Sequence, residues 1–294
     1  MDQFNVYKDM KARTNGEIYI GVVGPVRTGK STFIKRFMNL MVLPNIEDEN
    51  DRNRANDELP QSSSGKTIMT TEPKFVPNEA VSIKTEEGIE LNVRLIDCVG
   101  YMVEGATGHM EGEEERLVKT PWFDYEIPFT KAAAIGTKKV ITEHSTIGVV
   151  VTCDGSFGEI AAKQYEPAEE ETIKQLKALK KPFVVLLNTI HPYSESTKQL
   201  AAEKEEKYQT KVLPMNLEQM KKEDIYEIIK SVLMEFPISS IGFYVPRWTE
   251  MLKKDHPLKM ELLQMARDVI TEKTTMRDIY EEQEKELKKI STTL

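Results

Sequence analysis

Short apolar runs rich in β-branched residues alternate along the chain with segments whose apolar residues recur every three or four positions. This alternation is typical of a mainly parallel sheet covered by helices on both faces, so the predicted fold class is α/β. Helices are predicted at residues 31–41 and 217–235. Strands are predicted at residues 18–23, 74–83, 89–96, 147–152, 182–187 and 211–215, with the second and third forming a hairpin.

The pattern divides the chain into a main α/β domain, residues 1–238, and a helical appendage, residues 239–294. The appendage is expected to begin with a short strand at residues 240–245 and to continue as one or two helices broken near His256 and Pro257. Two stretches, residues 44–72 and 101–129, interrupt the regular alternation. Both are expected to be long functional loops.

Composition narrows the class of protein. The 294 residues carry 40 Lys and Arg against 48 Asp and Glu, a formal charge of −8, which argues against broad electrostatic attraction to nucleic acid. Cys98 and Cys153 each lie beside an apolar run, as expected for buried thiols in a reducing compartment rather than for a metal site. No leader pattern opens the chain, and the apolar runs are too short to cross a bilayer, so secretion and membrane spanning are not expected.

The strongest chemical signal is a G-x-x-x-x-G-K-[ST] motif from Gly24 to Ser31, between a predicted strand and a predicted helix. Its backbone N–H groups can surround a β-phosphate, Lys30 can reach the β- and γ-oxygens, and the Ser31 hydroxyl can coordinate Mg²⁺. The alternative is an ordinary glycine-rich turn. The motif predicts nucleotide binding.

A D-x-x-G motif, Asp97 to Gly100, follows the strand predicted at residues 89–96. At a strand end after a P-loop, the Asp97 carboxylate is expected to bind Mg²⁺ through water, and the Gly100 N–H is expected to meet the γ-phosphate. Asp97 as a simple turn residue is the competing interpretation.

The polar stretch at residues 62–72 stands where a first switch loop is expected. Thr70 or Thr71, just before the next strand, can supply a second Mg²⁺ ligand and sense the γ-phosphate, and the sequence does not choose between them. A solvated Ser/Thr-rich loop is the alternative interpretation.

The segment after the strand at residues 182–187 bears on the choice of base. A GTPase carries N/T-K-x-D here, but this chain has Asn188, Thr189, Ile190 and His191. A neutral imidazole cannot pair with two parallel guanine donors as a carboxylate does, so ATP is predicted over GTP. His191 as an exposed loop residue is an equally open interpretation.

Two further residues bear on hydrolysis. Tyr101 stands where many related GTPases place a water-orienting glutamine, which predicts slow intrinsic hydrolysis or a positioning group from elsewhere. Arg27, inside the P-loop, can stabilise charge in the transition state or can simply pack against a loop, and the two readings stay even.

Long runs of the chain resemble the stage IV sporulation protein A family. They lie at residues 21–34, 57–62, 65–77, 97–101 and 143–150, and the resemblance covers most of residues 1–250. It implies an ATPase descended from translation-factor-related GTPases, with residues 1–238 as the P-loop ATPase domain and 239–294 as the start of a middle domain. Family members continue into C-terminal domains implicated in membrane-surface targeting and polymer contacts.

The resemblance also implies a biological role and site residues. The family uses ATP hydrolysis to assemble into a static layer beneath the spore coat, on the mother-cell side of the forespore outer membrane, with other coat morphogenetic proteins as partners. It implies phosphate binding by Lys30, a metal site at Ser31 and Asp97, and hydrolysis sensors at Thr70 and Thr71. From its place just before the strand, Thr71 is also predicted as a metal ligand. The residues expected to contact ATP are Gly24, Pro25, Val26, Arg27, Thr28, Gly29, Lys30, Ser31, Thr32, Gly100 and Asn188.

Three other functions remain open at this point. One is a GTP-driven switch with an unusual base pocket, and another is a scaffold protein that binds nucleotide only as a stabilising ligand. The third, nucleic-acid binding, lacks a basic stripe or an aromatic platform.

Overall fold

A computed structural model describes residues 14, 16–60, 72–84, 88, 90–111, 114–238, 240–272 and 274–280. The strands are β1 (Glu17–Val23), β2 (Lys74–Lys84), β3 (Glu90–Asp97), β4 (Met110–Glu111), β5 (Glu114–Glu115), β6 (Leu117–Thr120), β7 (Phe123–Pro128), β8 (Ile147–Cys153), β9 (Phe183–Asn188) and β10 (Val212–Met215). The α-helices are α1 (Lys30–Phe37), α2 (Glu49–Asp57), α3 (Phe129–Lys139), α4 (Ala162–Ala178), α5 (Glu195–Tyr208), α6 (Lys222–Met234) and α7 (Pro257–Glu272).

The main sheet has six strands in the order β10-β9-β8-β1-β3-β2. All neighbours are parallel except β2, which pairs antiparallel with β3 as the predicted hairpin. Strands β8 and β9 are buried along their whole length, and they carry the β-branched and leucine side chains that suit a sheet covered on both faces. The predicted α/β class is confirmed.

The direction of the strands places the candidate chemistry at one edge. Strands β1, β3, β8 and β9 are parallel, so their carboxyl ends at Val23, Asp97, Cys153 and Asn188 meet on the same side of the sheet. In open α/β sheets this carboxyl edge is where ligands bind.

The two predicted long loops contain regular structure. Residues 101–129 hold two small hairpins, β4 with β5 and β6 with β7. Residues 44–72 include α2, which begins where the Asp48 carboxylate accepts the backbone N–H groups of Asn50 and Asp51 at 2.8 and 3.0 Å. Helix α2 buries only Ala55, so it lacks the apolar stripe by which a helix is recognised in a sequence.

Predicted element ends shift for local reasons. Helix α1 passes into a π-helical segment, Met38–Val42, instead of continuing as α-helix to residue 41. Helix α6 begins at Lys222 rather than at 217, because the Asn216 side chain accepts the N–H groups of Glu218 and Gln219 and holds a turn there.

The chain divides into two compact units, Met1–Val232 and Leu233–Leu294. In the second unit, α7 begins at Pro257, as the predicted break indicated, and Glu235 forms an ion pair with Arg277 at 3.4 Å. The strand predicted at residues 240–245 does not form. Those residues lack regular structure and are mostly exposed, so they lack the buried face that supports a strand.

None of the helices in the described ranges is both long enough and apolar enough to cross a membrane.

Candidate functional site

The P-loop leaves β1 and enters α1 through two glycines with left-handed backbone. Gly24 has φ +128° and Gly29 has φ +101°. A Cβ at Gly24 would lie 2.4 Å from the Val151 carbonyl oxygen, and one at Gly29 would lie 2.7 Å from Asn188 Nδ2. Both conformation and space therefore require glycine, which explains the two fixed positions of the motif.

Lys30, the first residue of α1, is buried inside this turn. Its Nζ donates to the carbonyl oxygen of Pro25 at 2.5 Å and more weakly to that of Gly24 at 3.4 Å. Burial lowers the pKa of Lys30, while the nearby Cys98 and Asp97 raise it. A cation held among backbone dipoles in this way suits an anionic ligand such as a phosphate.

Asp97 ends β3, opposite Lys74 of β2. Burial raises the pKa of Asp97 to about 6, although the charges of Lys30 and Lys74 and a backbone hydrogen bond from Cys98 lower it. Its Oδ1 is buried and finds no hydrogen-bond partner among the described residues. Such an oxygen needs a cation or a water molecule, so Asp97 fits a Mg²⁺ site.

The remaining metal-site predictions are less complete. Ser31 is half-buried in the first turn of α1. No group of three His, Cys, Asp or Glu side chains within the described ranges could hold a metal ion, so the fit rests on Asp97 with Ser31. Thr70 and Thr71 lie outside the described residues, and their roles stay predictions.

Gly100 and Tyr101 run directly along the P-loop. Tyr101 N–H donates to the Gly24 carbonyl at 3.2 Å, and Val26 N–H donates to the Tyr101 carbonyl at 2.9 Å. Gly100 has φ +95°, and a Cβ there would lie 2.2 Å from the Gly24 carbonyl oxygen and 2.6 Å from Lys30 Nζ. The backbone of the D-x-x-G segment is thus hydrogen-bonded to the backbone of the P-loop and in close contact with it.

The Tyr101 side chain is directed at helix α4. Its hydroxyl donates to Gln175 Oε1 of α4 at 2.7 Å. Burial raises the pKa of Tyr101 to about 12. The expectation that Tyr101 does not replace a catalytic glutamine agrees with this contact, but the contact itself joins residues 74 positions apart and was not foreseen.

Arg27 also lies within the P-loop, with φ +61°. Its guanidinium Nη2 donates to Thr107 at both the hydroxyl, 2.9 Å away, and the carbonyl oxygen, 3.2 Å away. This is the loop-packing arrangement. A catalytic role for Arg27 requires the side chain to leave Thr107, and that role stays a prediction.

Asn188 ties the loops of the site together. Its Nδ2 donates to the Thr28 carbonyl at 3.0 Å, and its Oδ1 accepts the Leu217 N–H at 3.3 Å. Thr28 in turn donates its hydroxyl to the Pro25 carbonyl at 3.0 Å. Asn188 therefore supports the shape of the P-loop, a positioning role next to its predicted contact with nucleotide.

The remaining predicted P-loop residues frame the turn. Val26 is buried in an apolar cluster with Val103, Cys153 and Tyr165, and Pro25 forms a bridge with Tyr101. Thr32 is half-buried in the first turn of α1. These contacts keep the loop rigid, which favours preorganised phosphate binding.

The segment after β9 does not present a guanine-reading carboxylate. Thr189 is fully buried, and its Oγ1 accepts the His191 N–H at 3.2 Å, while His191 itself is exposed. This favours the interpretation of His191 as a loop residue.

One neighbouring contact was missed from the sequence. The Asp154 carboxylate accepts Ser156 N–H at 2.9 Å, and Ser156 Oγ accepts the Ile190 N–H at 3.1 Å. The signal was available, because an Asp-Gly-Ser run directly after an apolar strand favours a side-chain-capped turn.

Fold and site together define a P-loop nucleotide-binding protein of the α/β class. Comparison with known proteins is consistent with this: the family model "Stage IV sporulation protein A, ATPase domain" matches residues 1–237, and the model of the middle domain of the same family matches residues 238–293. The chain belongs to the stage IV sporulation protein A family.

Curated relatives named "Stage IV sporulation protein A" are similar along nearly the whole chain. Those of Clostridioides difficile, Bacillus anthracis and Bacillus subtilis are 54%, 49% and 48% identical over 94%, 95% and 95% of this chain. The chain spans 56%, 57% and 57% of the lengths of these relatives.

Crystal structures of two SsGBP mutation variants align at 14% and 13% identity with TM-scores of 0.41. They cover 76% and 78% of this chain and 57% and 62% of those chains, and a TM-score this low marks only a loose likeness.

Proposed function

We propose that this chain binds Mg²⁺ and ATP at the P-loop and hydrolyses the ATP to ADP and phosphate. The observation that carries the proposal is the buried Lys30 ammonium, which donates to the Pro25 carbonyl oxygen at 2.5 Å. It lies at the same sheet edge as Asp97, whose Oδ1 has no hydrogen-bond partner within the described part of the chain. A buried cation next to an unsatisfied carboxylate oxygen suits a triphosphate with its metal ion.

Each residue has a distinct task in this reaction. Lys30 and the backbone N–H groups of the P-loop bind and orient the phosphates, and Gly100 N–H meets the γ-phosphate. Ser31 and Asp97 would hold Mg²⁺, with Thr71 as a further ligand, and the ion would neutralise charge on the phosphate oxygens. Thr70 or Thr71 senses hydrolysis, and Arg27 adds positive charge once it leaves Thr107.

Preference for ATP over GTP rests on the segment after β9. Thr189 turns its hydroxyl inward to the backbone of His191 at 3.2 Å, so it cannot pack along a base as a lysine stem does. No carboxylate stands at His191 to accept both guanine donors, and leaving those donors underpaired costs about 1–3 kcal/mol.

Family membership supports a proposed biological role. Hydrolysis is proposed to drive self-association into a polymer that forms the base of the spore coat, in the mother cell at the forespore outer membrane. Other coat morphogenetic proteins are the proposed partners, and nucleic acid is not. Membrane-surface attachment and polymer contacts are proposed to need the further length that the relatives possess.

The test is phosphate release from Mg·ATP and Mg·GTP, measured side by side over a range of protein concentrations. We expect release from ATP that is lost in Lys30→Ala and kept in Lys198→Ala, which removes an exposed lysine of α5. Specific activity that rises with concentration would mean that this chain already associates with itself, without the further length of the relatives. Faster turnover of GTP would contradict the base preference, and equal turnover by Lys30→Ala would reject the site.

A scaffold that binds nucleotide without hydrolysing it is the second candidate. Tyr101 favours it, because its hydroxyl donates to Gln175 of α4 at 2.7 Å and is not an amide that could both donate to and accept from an attacking water. Stoichiometric binding of ATP without phosphate release at any protein concentration would support this candidate instead.

A further inference from the structure

The backbone after Asp97 depends on its neighbours for its position beside the phosphate site. Gly100 lies over the Lys30 ammonium, and Tyr101 N–H bonds the Gly24 carbonyl at 3.2 Å. A shift of this segment by a few tenths of an ångström would move the Gly100 N–H relative to Lys30. Whatever fixes Tyr101 therefore fixes the group proposed to meet the γ-phosphate.

The Tyr101 hydroxyl reaches an acceptor that is itself oriented. Gln175 Nε2 donates to Glu171 Oε1 at 2.7 Å, one helical turn earlier in α4, which leaves Gln175 Oε1 to accept from Tyr101 at 2.7 Å. A flipped amide would place Oε1 against the Glu171 carboxylate and lose that bond, so Glu171 fixes the orientation of Gln175. This is a directional tether between the D-x-x-G segment and α4.

The tyrosine ring is held separately from its hydroxyl. It packs against the apolar cluster that contains Val26, Val103 and Tyr165. Removing only the hydroxyl would keep this packing, so the tether can be tested without opening a cavity.

We propose that Tyr101 and Gln175 are positioning residues for the γ-phosphate: their hydrogen bond holds the Gly100 N–H in register with the P-loop and lets the protein distinguish ATP from ADP. The inference rests on the proposed nucleotide site and extends it. It assigns to α4 a role in sensing the terminal phosphate, through a residue that stands in place of a water-orienting glutamine.

The test is the ratio of affinities for a non-hydrolysable ATP analogue and ADP, both with Mg²⁺, measured by calorimetry. Tyr101→Phe and Gln175→Leu should each lower the preference for the ATP analogue by about three- to tenfold, the worth of one hydrogen bond. The double variant should lose no more of the preference for the ATP analogue than either single variant does, because all three variants lack the same hydrogen bond. ADP affinity should be nearly unchanged.

The control is Tyr226→Phe, which removes a hydroxyl bonded to the Lys84 carbonyl at 3.3 Å. It should leave the affinity ratio unchanged. If Tyr101 had only a structural role, Tyr101→Phe would weaken the binding of both nucleotides equally.

Equal weakening, additive losses in the double variant, or an unchanged ratio would each overturn the positioning role. The proposed function is judged apart from it, because wild-type binding without phosphate release would contradict hydrolysis while leaving the affinity ratio measurable. Failure of the wild type to bind either nucleotide would overturn both.

Discussion

Replacing Gly100 by alanine tests the close approach of the D-x-x-G segment to the P-loop. The new Cβ would lie 2.2 Å from the Gly24 carbonyl oxygen, whereas Cβ contacts below 3.0 Å essentially do not occur, so backbone must retreat by about 0.8 Å. Lys30 Nζ, 2.6 Å away, can swing aside, but the Gly24 carbonyl belongs to the P-loop itself. A misplacement near 1 Å can reduce an enzymatic rate by about 100-fold.

Gly158→Ala provides the matched control. Gly158 also has positive φ, +85°, but a Cβ there meets nothing within 4 Å. Its substitution should lower the free energy of unfolding by about 1–2 kcal/mol, because alanine disfavours the left-handed conformation, and should leave ATP turnover nearly unchanged. Gly100→Ala should carry the same strain and also lose about 100-fold in ATP turnover.

Both variants should be measured by chemical denaturation, which reports the backbone strain, and by phosphate release, which reports misplacement of the D-x-x-G segment beside the P-loop. Turnover by Gly100→Ala within threefold of that of Gly158→Ala would refute the reasoning, because it would mean that the close backbone approach has no part in hydrolysis.

Two further predictions concern charge. Burial raises the pKa of Asp97 to about 6, so without metal the neutral carboxyl stabilises the fold most below the usual carboxyl pKa, and this contribution is lost as pH rises through 6. In urea denaturation without Mg²⁺, the unfolding free energy of wild type relative to Asp97→Asn should fall from about pH 5 to about pH 7, and a difference that does not change with pH would contradict this. Glu169 is buried and forms an ion pair with Lys204 at 2.6 Å, so Glu169→Gln should lower the free energy of unfolding by about 3–5 kcal/mol. Glu170→Gln breaks only the half-exposed pair with Lys207 and should lower it by at most about 1 kcal/mol, and equal losses in urea denaturation would contradict this difference.

The strand, P-loop and helix at the start of the chain were predictable because their signals are local. Gly24 and Gly29 are fixed by backbone conformation, Lys30 follows directly, and the apolar periods change from two to 3.6 around them. The β2–β3 hairpin was predictable for the same reason, since both strands lie on either side of a short polar turn.

Other features depend on contacts between distant residues. The bond from Tyr101 to Gln175 spans 74 positions, and the bond from Asn188 to Thr28 spans 160, so neither leaves a pattern in the sequence. The small hairpins at residues 110–128 were missed for two reasons. Strands β4 and β5 have only two residues each, too few for an alternation to be visible, and β6 and β7 each bury only one residue, Thr120 and Ile127.

The apolar residues at 241–245 predicted a strand that does not form. Ile241, Phe243 and Val245 alternate as in a strand, yet Phe243 and Val245 are about half exposed. Periodicity predicts a strand only where a neighbouring strand and a buried face exist, and a single sequence does not show whether they do.

Lys30 is the central phosphate-binding residue of the proposed site, and calorimetric titration of Mg·ATP into wild type and Lys30→Ala tests this role most directly. We predict one nucleotide bound per wild-type chain and an affinity at least tenfold weaker in Lys30→Ala, with Lys198→Ala unchanged, because charge-assisted hydrogen bonds to phosphate contribute about 1.5–3 kcal/mol. Equal affinity in wild type and Lys30→Ala would contradict the account.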